Sequence, residues 1–156
     1  MVVVAVATGK AFLVVLAVAV GFAVLMDAAR KWYRRLLARR FRRKHGGKDL
    51  LIVYTDSPHW KEYIESNWIA RWPDRTVTLN RSRPWSRKQP EAALWLAVRG
   101  LVEHTPLAIV VPRKGKLRVI RLFAAFRDFK HGKEGRLRTA ELELENAMES
   151  SKAAGA

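Results

Sequence analysis

Three residues whose side chains could take part in acid–base chemistry stand together after a short apolar run. Asp56, Ser57 and His59 follow the run "LLIVYT", residues 50–55, and lead into the segment "HWKEYIESNWIARW". In many hydrolases a histidine activates a serine hydroxyl while a carboxylate orients the histidine. Residues two apart at a helix start need not face each other, however, and the G-x-S-x-G pattern does not occur in the sequence. Catalysis on a small anionic substrate by these three residues is therefore an alternative hypothesis, and we assign no catalytic residue.

The same turn also has structural uses. Asp56 or Ser57 is a good N-terminal cap for the helix that follows, and Pro58 suits the first helical turn. Free amides and the positive end of the helix dipole can also attract an anion or a carbonyl oxygen, to which His59 would add a proton donor. The sequence therefore predicts a helix start that caps itself, and it leaves open whether this turn binds a ligand.

The residue types of the chain limit its cofactors. The 156 residues include no cysteine, which excludes disulfides, thiol oxidoreductase activity, cysteine-based zinc sites and iron–sulfur clusters. A metal site built from His59 with Asp56 or Glu62 would need further ligands from His104 or His131. Dispersed histidines are more often ordinary surface or core residues, so we predict neither a metal ligand nor a cofactor.

An alternating series of strands and helices must position the turn. Apolar, β-branched runs predict strands, and apolar residues at intervals of three or four predict helices. The predicted strands are residues 50–55, 75–80, 106–111 and 116–123, and the predicted helices are residues 59–72, 91–104 and 134–150. Residues 151–156 are predicted to be a frayed tail.

The order β-α-β-α-β-β-α predicts the topology of the sheet. A right-handed crossover makes the first two strands parallel, and the later hairpin adds an antiparallel pair. The runs "LLIVY" and "LAIVV" are apolar throughout, which is typical of central strands that are buried on both faces. We therefore expect an α/β domain over residues 49–150 with a mixed four-stranded sheet.

This element order resembles that of the minimal thioredoxin fold. In that family a strand ends in a C-x-x-C motif at the start of the first long helix, and a cis-proline opens the third core strand beside it. Asp56-Ser57-Pro58-His59 stands at the C-x-x-C location, Thr105-Pro106 resembles the cis-proline segment, and "RKGK" resembles the hairpin turn that follows. Because Asp56 and His59 replace both cysteines, the resemblance implies the fold, over about residues 49–150, and not the redox activity.

The resemblance also implies a place for a partner. The family holds an extended peptide in a groove, against the residue before the cis-proline. The equivalent candidate groove of this chain consists of Asp56, Ser57, Pro58, His59, Thr105 and Pro106. We predict an interaction or scaffold module that binds a protein or peptide partner.

The N-terminal run indicates a membrane anchor. Residues 2–26 contain a single ionisable residue, Lys10, over a length that can cross the bilayer core, for which a helix needs about 20 residues. An apolar stretch before Lys10 and a dense cationic block after the run argue against a cleaved signal peptide. The sequence predicts an uncleaved, single-pass transmembrane anchor over residues 1–27.

A basic collar, residues 28–48, follows the anchor. It contains ten Lys or Arg and no acid, and it holds most of the net charge of +16. Its apolar residues share one half of the helical projection, although Arg40 and Arg43 also fall there, and such a helix could lie at the lipid headgroups. They are Trp32, Tyr33, Leu36, Leu37 and Phe41. The residues predicted to face the membrane surface are Arg30, Lys31, Trp32, Arg34, Arg35, Arg39, Arg40, Arg42, Arg43 and Lys44. The glycines of "HGGK", residues 45–48, should break the helix.

The collar also sets the predicted orientation and lipid partner. Lys and Arg next to a transmembrane end hold that end in the cytoplasm, so we expect the N-terminus outside and the C-terminal domain in the cytoplasm. Anionic lipid is the expected partner of the collar. Nucleic-acid binding through residues 28–48 is the competing hypothesis, and we favour lipid because the collar directly abuts the anchor.

Two groups of aromatic residues are predicted to pack in the core. The phenylalanines of "FAAFRDFKHGK", residues 123–133, recur every three residues, which favours a short helix packed against the sheet edge. A cationic, aromatic surface for an acidic partner or a lipid headgroup is the alternative for this segment. Five tryptophans are expected to pack in the core rather than to stack bases: Trp60, Trp68, Trp72, Trp85 and Trp95.

Overall fold

The structure, a computed structural model, describes the backbone of residues 2–100 and 104–154 and the side chains of residues 15–100 and 104–154. Its elements are α1 Val2–Lys44, β1 Leu50–Tyr54, α2 Lys61–Tyr63, the π-helix Ile64–Ile69, β2 Thr76–Asn80, α3 Pro90–Val98, β3 Leu107–Val110, β4 Arg118–Arg121, α4 Phe123–Lys130 and α5 Gly135–Ala153. The chain divides into two compact units, Met1–Leu36 and Leu37–Ala156.

The first unit consists of the N-terminal part of α1. No proline occurs before Pro58, and alanine and leucine, which favour helix, recur through the run. The described side chains of this unit are exposed, with 66% of Val15 and 65% of Phe22 accessible. Residues 1–14 of the predicted anchor lie outside the described side chains. Across the part of the chain that the structure describes, no helix is both long enough and apolar enough to span a membrane.

Two glycines end α1. Gly46 and Gly47 have φ angles of 61° and 84°, in the left-handed region that residues with a Cβ disfavour. The Gly47 amide donates to the Arg42 carbonyl at 2.8 Å and so satisfies a carbonyl at the helix end. The helix thus ends where the sequence predicts a break.

The second unit is built on a mixed four-stranded sheet of order β2-β1-β3-β4. β1 is parallel to β2 and antiparallel to β3, and β3 is antiparallel to β4, so the predicted mixed sheet is confirmed. Every residue of β1 and β3 is buried, as their continuous apolar runs predict for central strands. The edge strands β2 and β4 mix buried and exposed residues.

Helices cover both faces of this sheet. On one face Leu50 and Ile52 of β1 share a core with Phe126 of α4 and with several residues of α5. On the other face Leu51 of β1 shares a core with Trp95 of α3. Successive strand residues point to opposite faces, which is why β1 contributes to both cores. Full burial of each large apolar side chain contributes about 1.5–3 kcal/mol.

The last turns of α1 belong to the second of these cores. Leu37 is 5% exposed and Phe41 0% exposed, and both pack in the cluster that includes α3. The sequence predicted that they face lipid, together with Trp32 and Tyr33, which are indeed exposed. Leu37 and Phe41, one helical turn apart, pack against strand residues of the sheet in the same cluster as α3. The apolar face predicted for the collar is therefore divided between exposed and buried residues, and the second compact unit begins at Leu37.

Two helices differ from their predicted bounds. The predicted helix 59–72 is the short α2, followed directly by the π-helix, whose wider turn closes where the Ala70 amide donates to the Glu65 carbonyl at 3.1 Å. The predicted helix 91–104 ends at Val98, because the backbone of Arg99 is extended. Residues 101–103 of that prediction lie outside the described residues.

The last helix is longer than predicted. α5 continues through Ala153, and Ser151, the first residue of the predicted frayed tail, is only 4% exposed. Its hydroxyl donates to the Asp49 carboxylate, which also accepts two hydrogen bonds from Arg75. This buried network fastens the end of α5 to the start of β1. Residues 155–156 of the predicted tail lie outside the described residues.

The predicted core aromatics are confirmed. The short helix expected within residues 123–133 is α4, and its Phe126 is 2% exposed. Trp68 and Trp95 are buried, while the other three tryptophans of the set are partly buried and pack against the two cores: Trp60, Trp72 and Trp85.

Candidate functional site

The first part of the predicted groove is the turn after β1, residues 55–59, called the β1 turn below. β1 and β2 are parallel neighbours, and their last residues, Tyr54 and Asn80, are paired. The carboxyl ends of parallel strands form an edge at which ligands commonly bind in α/β proteins. The β1 turn therefore lies beside the residues that end β2.

Asp56 fastens the β1 turn to the end of β2. Asn80 Nδ2 donates to Asp56 Oδ1 at 2.8 Å, and Lys61 Nζ lies 3.0 Å from the same oxygen. The Asp56 amide donates to Ser82 Oγ at 3.0 Å. The hydrogen bonds from Asn80 and Lys61 hold the pKa of Asp56 below its ordinary value. The carboxylate is therefore ionised at neutral pH and already has two partners.

Ser57 and His59 have different partners. Ser57 Oγ accepts a hydrogen bond from the His59 amide at 3.4 Å, so the serine hydroxyl contacts the backbone of its own turn. His59 Nε2 lies 3.4 Å from Lys130 Nζ of α4. Among the described side chains, no hydrogen bond joins the imidazole of His59 to Ser57 or to Asp56. The three residues do not form a chain for proton transfer.

The helix start after the β1 turn is closed by backbone groups. The Lys61 amide donates to the Ser57 carbonyl at 3.0 Å. Within the described residues, no side-chain hydrogen bond caps α2 at Trp60, the residue that precedes it. Ser57 makes the contacts of the predicted cap, because its Oγ accepts a hydrogen bond from the His59 amide at 3.4 Å and its carbonyl accepts the hydrogen bond from Lys61. Asp56 does not cap the helix, because its carboxylate bonds to Asn80 and Lys61.

The second part of the predicted groove is the proline segment, residues 104–106. Thr105 is 6% exposed, Pro106 is buried, and the peptide bond between them is cis. The Leu122 amide donates to the Pro106 carbonyl at 3.1 Å. Because β1 and β3 are antiparallel neighbours, the residues after β1 and the residues before β3 lie at the same end of the sheet.

Phe123, the first residue of α4, joins the two parts. Its ring stacks on His104 of the proline segment, with centroids 4.5 Å apart and an interplanar angle of 24°. The same ring meets Trp60, next to the β1 turn, edge-to-face at a centroid distance of 6.1 Å. Trp60 Nε1 donates to Thr55 Oγ1 at 3.2 Å. The β1 turn and the proline segment thus come together around one aromatic ring; that a partner binds between them stays a prediction.

Sequence reasoning did not single out Asn80 and Ser82 of this site, and it considered His104, Phe123 and Lys130 only for other roles. The sequence could have indicated Asn80, because this residue ends the strand predicted beside β1. It could also have indicated His104, which directly precedes the predicted cis-proline pair. Nothing in the sequence indicates the contact of Lys130 with His59, since only the packing of α4 brings these residues together.

Two of the predicted membrane-surface residues have partners within the second unit, to which they belong. Arg42 Nη1 donates to the Val111 carbonyl at 2.9 Å. Lys44 Nζ lies 3.4 Å from the Glu91 carboxylate, which His45 Nε2 also contacts at 3.0 Å. Arg42 is partly buried, and the other predicted membrane-surface residues are exposed: Arg30, Lys31, Trp32, Arg34, Arg35, Arg39, Arg40, Arg43 and Lys44.

No metal ligand set emerges from the described residues. Within them, no group of three or more histidine, aspartate or glutamate side chains is arranged to hold a metal ion. His59 lies beside Lys130, and His104 stacks on Phe123, so neither histidine joins the other in a shared site.

No protein-family model, curated protein or solved structure matches the chain. A functional proposal therefore rests on the geometry of the site itself.

Proposed function

We propose that the chain is a single-pass membrane protein whose thioredoxin-like domain is redox-inactive and acts as an interaction or scaffold module at the cytoplasmic membrane face. The strand order β2-β1-β3-β4, with one parallel and two antiparallel pairings, supports the thioredoxin-like assignment. The positions of the β1 turn and the proline segment at one end of the sheet agree with it. The absence of cysteine from the sequence excludes thiol chemistry.

One observation carries the binding proposal. Phe123 links His104 to Trp60 and so holds the proline segment beside the β1 turn. An extended peptide segment of a partner protein suits such a groove, because the related fold binds extended chains there. Lys130 is exposed on α4, its Nζ lies 3.4 Å from His59 Nε2 of this groove, and its charge favours a segment with acidic side chains.

The contacts at the β1 turn favour binding over catalysis. A serine nucleophile and its base must lie within hydrogen-bond reach of each other. The Ser57 hydroxyl instead bonds to the His59 amide, and the Asp56 carboxylate bonds to Asn80 and Lys61. Each candidate catalytic group therefore already has a structural partner.

The membrane part of the proposal rests on the N-terminal sequence. The whole run of residues 2–26 has one ionisable residue, and its described side chains, from residue 15 on, are exposed. The exposed cations of the collar follow this run and favour a cytoplasmic C-terminal unit. Near anionic lipid each such Lys or Arg contributes about 1 kcal/mol of attraction.

Site-specific photocrosslinking in native membranes tests the binding proposal. A photoreactive amino acid replaces His59 in the full chain, and the crosslinked products are separated and mapped by mass spectrometry. We expect one discrete adduct, whose crosslinked fragment is an extended, acid-rich segment of a single partner. Phe123→Ala in the same chain should remove this adduct, because the ring that joins the two parts of the groove is lost.

The matched control places the same photoreactive group at Leu142, which is 58% exposed on α5. This position should not give the adduct. Identical adducts from positions 59 and 142, no adduct at position 59, or an adduct that survives Phe123→Ala would each refute the groove as the binding face.

A further inference from the structure

A cleft of about 480 Å³ lies between the π-helix and α5, away from the candidate groove. Small-molecule sites in proteins occupy roughly 300–1,000 Å³, so the cleft is large enough for a small ligand or for one long side chain. Its walls come from the second unit alone. They include Tyr63, Trp68, Trp72, Glu141 and Glu145.

Aromatic rings and a fixed carboxylate form one wall of the cleft. Tyr63 and Trp68 meet edge-to-face, with ring centroids 6.2 Å apart. The Tyr63 hydroxyl donates to Glu141 Oε1 at 2.6 Å, and Trp68 Nε1 donates to the same oxygen at 3.2 Å. Burial and the hydrogen bond to Glu141 raise the pKa of Tyr63 to about 12, so its hydroxyl remains a donor. The Glu141 carboxylate is therefore held in place.

The charge of the cleft is unusual for this chain. The sequence has 14 acidic and 30 basic residues, yet Glu141 and Glu145 line one cleft, a single helical turn apart on α5. Like charges at this spacing repel each other and destabilise a helix. A cation between them would remove the repulsion. The aromatic rings add a second attraction, because a cation over an aromatic face is stabilised by the ring quadrupole.

The chain already places one of its own cations in the cleft. The Arg71 guanidinium forms an ion pair with Glu145 and lies 5.0 Å from the centroid of the Trp72 ring. The Arg71 side chain is 54% exposed, so this pair is partly solvated and weak. A guanidinium is planar, pairs with carboxylates and stacks on aromatic rings, which matches both contacts.

We propose that this cleft is a binding site for a guanidinium group, supplied by a small molecule or by an arginine side chain of a peptide, and that Arg71 occupies it when no ligand is bound. Glu145 and Trp72 then hold the incoming group in the position that Arg71 leaves. Glu141 adds the second negative charge.

Calorimetric titration of the full chain in detergent micelles with methylguanidinium tests the proposal. Arg71→Ala should bind methylguanidinium about tenfold more tightly than the unchanged chain. The substitution removes the Arg71 guanidinium, which competes for the site through one weak ion pair and one cation–π contact. In the Arg71→Ala chain, Glu145→Gln should lower the affinity about tenfold again. Arg71 is exposed, so its replacement leaves the core intact, which circular dichroism checks.

Three controls sharpen the result. Arg71→Lys keeps a cation in the cleft and should bind as weakly as the unchanged chain. Glu149→Gln on the same helix lies outside this cleft and should change nothing. Methylurea, which has a similar shape without the charge, should not bind to any of the chains.

To identify the source of the guanidinium, a capped Gly-Arg-Gly peptide is titrated into the Arg71→Ala chain, and its affinity is compared with that of methylguanidinium. Tighter binding of the peptide than of methylguanidinium assigns the site to an arginine of a partner, and equal binding assigns it to a small molecule. Equal affinity of the Arg71→Ala and unchanged chains for methylguanidinium, or affinity that Glu145→Gln leaves unaltered, would overturn the proposal.

Discussion

Glu91 is the residue that ties the end of α1 to the first turn of α3. It is 9% exposed, and its carboxylate contacts both His45 and Lys44. Burial by itself raises the pKa of Glu91, but a hydrogen bond from its own backbone amide, the hydrogen bond from His45 and the charge of Lys44 together bring that pKa below its ordinary value. An ionised carboxylate at a helix N-terminus is also favoured by the helix dipole.

Glu91→Gln should therefore destabilise the second unit in a pH-dependent way. Loss of the charged hydrogen bonds should lower the free energy of unfolding at pH 7 by about 1 kcal/mol. The folded-state pKa lies below the unfolded value of about 4.3, so ionised Glu91 adds stability above that pH and loses it as the pH falls through the folded-state pKa. Urea unfolding of the full chain in micelles, at pH 7 and at pH 3.5, measures the difference in the free energy of unfolding between the unchanged chain and Glu91→Gln.

The control is Glu143→Gln, at an exposed position. A difference for Glu91→Gln that stays the same at both pH values would contradict the stabilising role of ionised Glu91.

Asp56 gives a prediction about local order. Asp56→Ala removes the acceptor of Asn80 and Lys61, so amide hydrogen exchange over residues 56–61 should become faster. The midpoint of global unfolding should hardly change, because Asp56 is exposed. Exchange measured by mass spectrometry checks this, with the exposed Asp74→Ala as a control. Unchanged exchange in the β1 turn would show that Asp56 does not fasten it.

The sequence predicted where the β1 turn lies, but it did not predict which groups the side chains of this turn contact. Asp56, Ser57 and His59 are close in sequence, and this closeness suggested joint chemistry. Their actual partners are set by β2 and α4, which contribute Asn80 and Lys130 from far along the chain. Local propensity contains no information on such contacts, so the location of the turn was predictable and its interactions were not.

At the scale of elements, the strands were more predictable than the helices. The central strands β1 and β3 must be apolar on both faces, and this requirement is visible in the sequence itself. The end of α1 has two possible environments for the same apolar stripe, lipid or a sheet face. Leu37 and Phe41 pack on the sheet face, among residues of β1, β3 and α3 that are distant in sequence, and no local pattern reveals such contacts.

Replacing Phe41 tests the role of α1 in the second core. Phe41→Ala removes a fully buried ring and should lower the free energy of unfolding by about 3–5 kcal/mol. Tyr33→Ala, on the same helix but exposed, is the matched control and should change that free energy by less than about 0.5 kcal/mol. Chemical denaturation of the full chain, followed by circular dichroism, compares them. Equal effects of the two substitutions would mean that Phe41 does not pack in the core.

At the scale of the whole molecule, the distribution of charge is the main property. The collar is strongly basic and largely exposed, whereas the few acids of the chain lie in the rest of the sequence, and two of them line the cleft beside α5. The exposed cations can bind anionic lipid or nucleic acid, because both present phosphate charges. The apolar run before the collar favours lipid.

Competition between lipid and DNA distinguishes these two partners. The full chain in nanodiscs of anionic lipid should bind duplex DNA at least about tenfold more weakly than the chain in neutral nanodiscs, because lipid already neutralises the collar. Fluorescence anisotropy of a labelled duplex at fixed ionic strength measures both affinities. Equally tight binding in the two kinds of nanodisc would support the nucleic-acid hypothesis instead.

The central claim, a cytoplasmic module on a membrane anchor, is tested most directly by the accessibility of single introduced cysteines, since the chain contains none of its own. Val3→Cys and Leu142→Cys are expressed separately in cells and treated with a membrane-impermeant maleimide. We expect label at position 3 in intact cells, label at position 142 only after permeabilisation, and both chains in the membrane pellet after alkaline extraction. Label at position 142 in intact cells, or release of the chain by alkali, would contradict the claim.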